Sequence, residues 1–235
     1  MRAVSLAFAL ALAACGASTP PPPAPAPTAP PAPIASTDHV ADHVHHRFDD
    51  VERWVRVFDD PDRDAWQRPA EVVAILRVAP GMTVADLGAG TGYFLPHLSP
   101  AVGPTGRVLA LDVEPAMVRY MRDRAARQGL TNVVASAVPP DDPRLPRAGV
   151  DRVLIVDTWH HLPDRAAYSA KLAAGLKPGG MVVVVDFTKE SRLGPPPAAR
   201  VAPEDVVAEL RAGGLDAEIV TETLSEQYVV IGRRR

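Results

Sequence analysis

From residue 82 onward, short apolar runs rich in β-branched residues alternate with longer amphipathic stretches. The runs fall at 82–87, 106–112, 132–137, 150–157, 180–186, 216–223 and 226–231, and the pattern predicts strands there. Helical patterns fall between them at 92–101, 115–128, 164–175 and 203–213. Such alternation predicts an α/β fold, a mainly parallel sheet with helices on both faces. The last two runs are separated only by "LSE", too short for a crossover, so they are expected to pair as an antiparallel hairpin. Upstream, Val51, Trp54, Val55 and Phe58 recur at i, i+3, i+4 and i+7, which predicts a helix over 49–59 that packs this face on the domain and stops at Pro61. A second helix is expected over 70–78, with Val72, Val73, Ile75 and Leu76 toward the core. Trp66 and Gln67, just before it, read either as a wall of a ligand pocket or as a packed corner.

The N-terminus follows another logic. After Arg2 comes "AVSLAFALALAA", the length of a signal-peptide apolar region and too short to span a bilayer. It ends in Leu12-Ala13-Ala14-Cys15-Gly16, which resembles a bacterial lipobox; that likeness implies cleavage before Cys15 and acylation of its thiol. The Pro/Ala/Thr tract that follows cannot bury a core, and at polyproline II spacing its 14 residues, 20–33, reach about 40 Å. The sequence thus divides into a signal peptide (1–14), a tether (15–37), a helical lead-in (38–68) and a globular domain (69–235). The expected location is exported and lipid-anchored on the membrane through Cys15, or cytoplasmic if the signal is unused.

Composition narrows the function classes. Cys15 is the single cysteine of 235 residues, so neither an intramolecular disulfide nor a thiolate metal cluster can form. A net charge of -3 without a clustered basic face gives no reason to expect a nucleic-acid partner. Four of the seven histidines, His39, His43, His45 and His46, crowd the lead-in. With Asp38 or Asp42 they could coordinate zinc, but no second ligand cluster frames them; the plainer reading is a polar lead-in, and no metal site is expected.

The chemistry concentrates after the first strand, in Asp86-Leu87-Gly88-Ala89-Gly90-Thr91-Gly92-Tyr93. Alternate glycines let the backbone turn sharply and approach a ligand, and the following helix offers free N–H groups. A dinucleotide fingerprint would need glycine at position 93, where Tyr93 stands. At the end of the second strand Asp112, 24 residues beyond Gly88, is placed to accept hydrogen bonds from ribose hydroxyls.

Over residues 69–231 the chain resembles the class I S-adenosylmethionine-dependent methyltransferases, on "VADLGAGTGYF", "RVLALDVEPAMV", "VDRVLIVDTWHHL" and "LKPGGMVVVVD". The resemblance implies a Rossmann-like, doubly wound seven-stranded sheet, mostly parallel with a C-terminal antiparallel hairpin, and S-adenosylmethionine as cofactor. It implies that Asp86, Gly88, Gly90 and Gly92 surround the methionine part, that Asp112 holds the ribose, and that Ala89, Tyr93, Val113 and Asp157 also belong to the cofactor site. The family commonly has an acidic residue soon after the third strand; here Ser136-Ala137-Val138 intervenes, and Asp141 or Asp142 takes that role unless backbone alone holds the adenine. Where a base is needed, Asp157, His160 and His161 after the fourth strand are the candidates; the histidines could instead only cap the strand. Residues 188–201 form a plausible substrate-facing loop. The acceptor is expected to be a small molecule or a protein. Alternative readings are a dinucleotide-dependent oxidoreductase and a non-catalytic surface domain of the same fold.

Overall fold

The structure, a computed structural model, describes residues 50–235. Cys15, the proline tract and the four lead-in histidines lie outside the described residues.

Seven strands form one sheet: β1 (Thr83–Leu87), β2 (Arg107–Asp112), β3 (Val133–Ala137), β4 (Val150–Val156), β5 (Leu176–Phe187), β6 (Asp216–Val220) and β7 (Gln227–Arg233). Their order is β3-β2-β1-β4-β5-β7-β6. The first five pair in parallel, and β7 runs antiparallel to both β5 and β6. This is the mostly parallel, doubly wound α/β sheet with an antiparallel C-terminal pair expected from the sequence. Strand order reverses between β1 and β4, so the cleft beyond their carboxyl ends is the switch point where such sheets bind ligands.

The central strands are apolar on both faces because helices cover both. Helices α3 (Pro69–Leu76), α4 (Leu95–Val102) and α5 (Pro115–Arg127) bury Val72, Leu76, Leu98 and Met121 against Val84, Val108, Leu154 and Val183. On the other face, α6 (Arg165–Gly175) and α7 (Pro203–Ala212) bury Leu172, Val206 and Leu210 against Ala85, Ile155, Val182 and Val184. Each fully buried valine of "VVVV" in β5 contributes on the order of 1.5–3 kcal/mol.

Two short helices precede this layer. In α1 (Val51–Phe58) the Asp50 carboxylate caps the first turn by accepting from Arg53 N–H. Its apolar positions are half-buried rather than fully buried, since the helix lies at the rim. The second, α2 (Arg63–Gln67), is absent from the sequence reading; five residues are too few to display helical periodicity. Arg68 in left-handed conformation (φ 48°) separates it from α3, which Pro69 opens.

Boundaries differ where glycine intervenes. The predicted helix at 92 begins at Leu95, because Gly92 takes φ +77° and the chain is still turning. Strand β5 starts four residues early through a register shift around Lys177-Pro178-Gly179-Gly180, with Gly179 at φ +73°. β6 ends at Val220, so the hairpin connection is longer than "LSE".

Candidate functional site

The loop after β1 lies flat against the end of β2. Gly88 and Ala89 N–H donate to the Leu111 carbonyl at 2.8 and 3.1 Å, and Gly90 N–H donates to Asp112 Oδ2 at 2.8 Å. Gly88 has φ +69°, and a Cβ there would lie 2.9 Å from Thr158 Cβ and closer still to its Cγ2 and Oγ1. Glycine is therefore required by conformation and by space at once. Asp112 Oδ1 accepts Glu114 N–H at 2.9 Å, so two backbone donors fix a carboxylate that still has acceptor capacity for a ligand. Burial holds its pKa above the usual carboxylate range. Beside it Val113 is 46% exposed, an apolar surface beyond the end of β2 that suits the face of a base.

Two more carboxylates sit at the ends of β1 and β4. Asp86 is 3% exposed, and its Oδ2 has no hydrogen-bond partner. Burial pushes its pKa up to about 7, against the pull of Arg63. Asp157, at φ +52°, takes Gln227 Nε2 at 2.5 Å and has Arg63 Nη2 3.6 Å away. It too is pushed up to about 7, first by burial, with Asp186 adding and Arg63 opposing. Asp86 and Asp157 thus face one buried guanidinium, and Asp112 lies in the field of Asp86. The arrangement suits a ligand that brings positive charge.

Arg63 belongs to a closed polar ring. Its Nε and Nη2 donate to Gln67 Oε1 at 3.3 and 2.9 Å, Gln67 Nε2 donates to Gln227 Oε1 at 2.6 Å, and Gln227 reaches Asp157. Arg63 also lies 4.0 Å from the Tyr93 ring centroid, while Tyr93 O–H donates to Asp64. Burial is the main cause holding the Tyr93 phenol above its ordinary pKa. The Asp59 carboxylate takes Arg124 Nη1 at 2.8 Å and Thr91 Oγ1 at 2.9 Å, and the Phe58 ring lies 3.3 Å from where a Gly90 Cβ would stand. The lead-in helices therefore roof the glycine loop. Gln67 is a wholly buried member of this roof. Arg63 and Gln227 escape sequence reading, because Gln67, which links them, lies 160 positions from Gln227 and meets it only in the folded chain.

The remaining candidates separate. His160 turns inward, with its Nδ1 3.0 Å from both carboxylate oxygens of Asp186, whereas neighbouring His161 is exposed. Asp141 is not gathered into the group: its side chain is 71% exposed and pairs with Lys171 of α6, Nζ donating to its carbonyl at 2.5 Å. Asp142 lies 3.8 Å from the same ammonium. The turn "PPDDP" leads these acids to α6, which the sequence could not specify. Ser136, Ala137 and Val138 instead line a groove of about 360 Å³ along β2 and β3 that contains no residue of the glycine loop. The 188–201 loop is organised by Arg200, 6% exposed, which donates to the carbonyls of Thr188, Lys189, Ser191, Leu193 and Pro195.

Comparison with known proteins gives this geometry a context. Residues 84–180 match the family model described as "Methyltransferase domain". The ubiquinone/menaquinone biosynthesis C-methyltransferase UbiE of Burkholderia vietnamiensis is 34% identical over 127 residues, 53% of this chain and 50% of that protein. Its counterpart from Coxiella burnetii is 29% identical over 156 residues, 65% of this chain and 62% of that protein. The chain therefore spans about half the length of the first of these curated relatives. Among solved structures, a SAM-dependent methyltransferase from Aquifex aeolicus aligns with TM-score 0.75 and 29% identity over 81% of this chain and all of that one. The phosphoethanolamine N-methyltransferase 2 of Haemonchus contortus, solved with S-adenosyl-L-methionine, shares the fold at TM-score 0.60 and 12% identity, covering 72% of this chain and 52% of that one.

Proposed function

We propose that this chain, which carries a methyltransferase domain, is an S-adenosylmethionine-dependent methyltransferase. The observation that carries the reading is the cluster at the switch point: a loop that accepts only glycine at position 88, set between Asp112 and the buried, unpartnered Asp86 Oδ2. The residues fit the donor in charge as well as shape. Asp112 would hold the ribose, Val113 the base, Asp86 and the glycine loop the amino end of the methionine, and Arg63 its carboxylate. The donor, when bound, supplies a methyl group already activated by a sulfonium. The protein's task is then alignment and exclusion of water, which the roof of α1 and α2 supports.

The acceptor is taken as a small molecule or a protein side chain; the relatives named for quinone biosynthesis are covered over too little of their length to transfer their substrate. The lipobox reading adds a second part to the proposal: acylation at Cys15 would tether the domain to a membrane, as no helix among the described residues is long and apolar enough to cross one. Acyl labelling with fractionation tests it, and an unlabelled soluble chain overturns it.

Equilibrium binding of tritiated S-adenosylmethionine to the full chain tests the enzyme reading. Saturable binding that Asp112→Ala abolishes is expected; no binding at millimolar donor overturns it.

A further inference from the structure

Asp186 closes the stretch "LKPGGMVVVVD" but has no role assigned to it from sequence, yet it is the most elaborately held carboxylate of the site. It is the penultimate residue of β5, is 1% exposed, and accepts Phe187 N–H at 2.8 Å and His160 N–H at 3.3 Å. The His160 Nδ1 lies 3.0 Å from each of its oxygens. A carboxylate offers only acceptors, so the ring proton belongs on Nδ1 and the lone pair on Nε2. Among the described residues nothing is hydrogen-bonded to Nε2, and the side chain is only 5% exposed, a base largely shielded from bulk water. The charged and titratable groups around it are Asp157 on the β4 end, His161 with ring centroids 4.1 Å apart, and Tyr228 of β7 in the field of Asp186. Next to Asp186 the Phe187 ring stands 5.9 Å from that of half-buried Trp66, an apolar aromatic wall between β5 and α2.

We propose that His160 is the general base of the methyl transfer, that Asp186 positions it, and that the acceptor is a phenol whose ring lies along Trp66 and Phe187. The proposal rests on the methyltransferase reading above. An aryl thiol is far more acidic than a phenol and largely ionised near neutral pH, and a neutral amine already has its lone pair, so neither needs a built base. A phenol, with a pKa of about 10, is a weak nucleophile until it loses its proton. As the acceptor oxygen forms its bond to the methyl carbon, its proton passes to His160 Nε2. The carbon–sulfur bond breaks with its electron pair left on sulfur, and the neutral thioether departs. Asp186 stabilises the imidazolium that forms by accepting its Nδ1–H, and the imidazolium then returns the transferred proton to water.

The test uses the full chain, tritiated S-adenosylmethionine, and the matched probes p-cresol and p-thiocresol. His160→Gln is expected to lower kcat on p-cresol by about 10²- to 10⁴-fold, with thiocresol methylation and donor affinity changed by no more than about threefold. The p-cresol rate of the wild type falls on acidification, and that limb is lost in His160→Gln. In the Asp186→Asn variant, ¹⁵N spectra of histidine-labelled protein are expected to show the ring proton redistributed toward Nε2, with p-cresol turnover reduced and thiocresol turnover kept. Equal loss on both probes overturns the proposal by giving His160 a merely structural role. So does a wild type that binds donor but leaves p-cresol unmethylated, or one that carries its neutral ring proton on Nε2. Failure to bind donor at all instead removes the methyltransferase reading on which the proposal stands.

Discussion

Asp86 is the clearest place to separate stability from function. Its carboxyl titrates at about 7 in the folded chain, against 3.8 for the ordinary group, chiefly because burial disfavours the charge. The folded state therefore binds the proton more tightly than the unfolded one, and stability falls as pH rises between these values; the penalty is complete above about 7. At 1.36 kcal/mol for each tenfold change in proton affinity, the penalty is about 4 kcal/mol, shrinking to about 2 kcal/mol at pH 5. Asp86→Asn keeps the shape and removes the charge, while its amide still lacks the partner that Oδ2 lacks, an unmet group worth roughly 1–3 kcal/mol in either chain. The donor-free variant should thus be more stable than wild type by about 2–4 kcal/mol at pH 8, raising Tm by roughly 5–12 °C for a domain of this size. The gain should narrow to about 1–2 kcal/mol at pH 5. Thermal unfolding followed by circular dichroism from pH 5 to 8 measures it, and calorimetric titration of S-adenosylmethionine should show weakened binding in the same variant. A variant less stable than wild type at pH 8, or a difference that does not change with pH, would refute the buried-charge reasoning.

Three further outcomes are expected. Because Asp86 and Asp157 both titrate at about 7, a ligand bringing positive charge selects their ionised forms; donor affinity should drop about tenfold per group between pH 8 and pH 6, and a flat calorimetric profile would count against the assignment. Gly88→Ala should abolish donor binding and destabilise the chain by roughly 1–3 kcal/mol through its positive φ, while adding Thr158→Ala recovers only part of the stability, as urea titration will show. Arg200→Ala frees five carbonyls, so limited trypsinolysis at Lys189 and Arg192 should quicken by about tenfold with most of the sheet's stability retained; unchanged cleavage would mean the loop is ordered by something else.

Much of the site was legible because its requirements are local. The glycines announce positive φ at 88, 90 and 92, and the structure has it at all three. Asp112 follows from its place at the end of a strand paired with β1, and it does touch the loop. Asp141 lies with Lys171 for the opposite reason: its place depends on where α6 runs, and Lys171 is 30 residues away. His160 and His161 are neighbours with the same side chain, yet one turns toward Asp186 and the other toward solvent. No linear pattern distinguishes them, because the difference is made by the short 3-10 turn over Trp159–His161.

By itself, then, the sequence determined what repeats along the chain. Apolar periodicity, glycine placement and a connection too short for a crossover specify strands, helices and an antiparallel end, since each depends on residues near one another in sequence. Only the tertiary structure decided the company of the buried polar groups. The ring of Arg63, Gln67, Gln227 and Asp157 draws on α2, β7 and the end of β4, and Asp186 meets His160 across β5 and β4. A buried charge or amide must find its partner wherever packing brings one, and packing is set by the whole sheet.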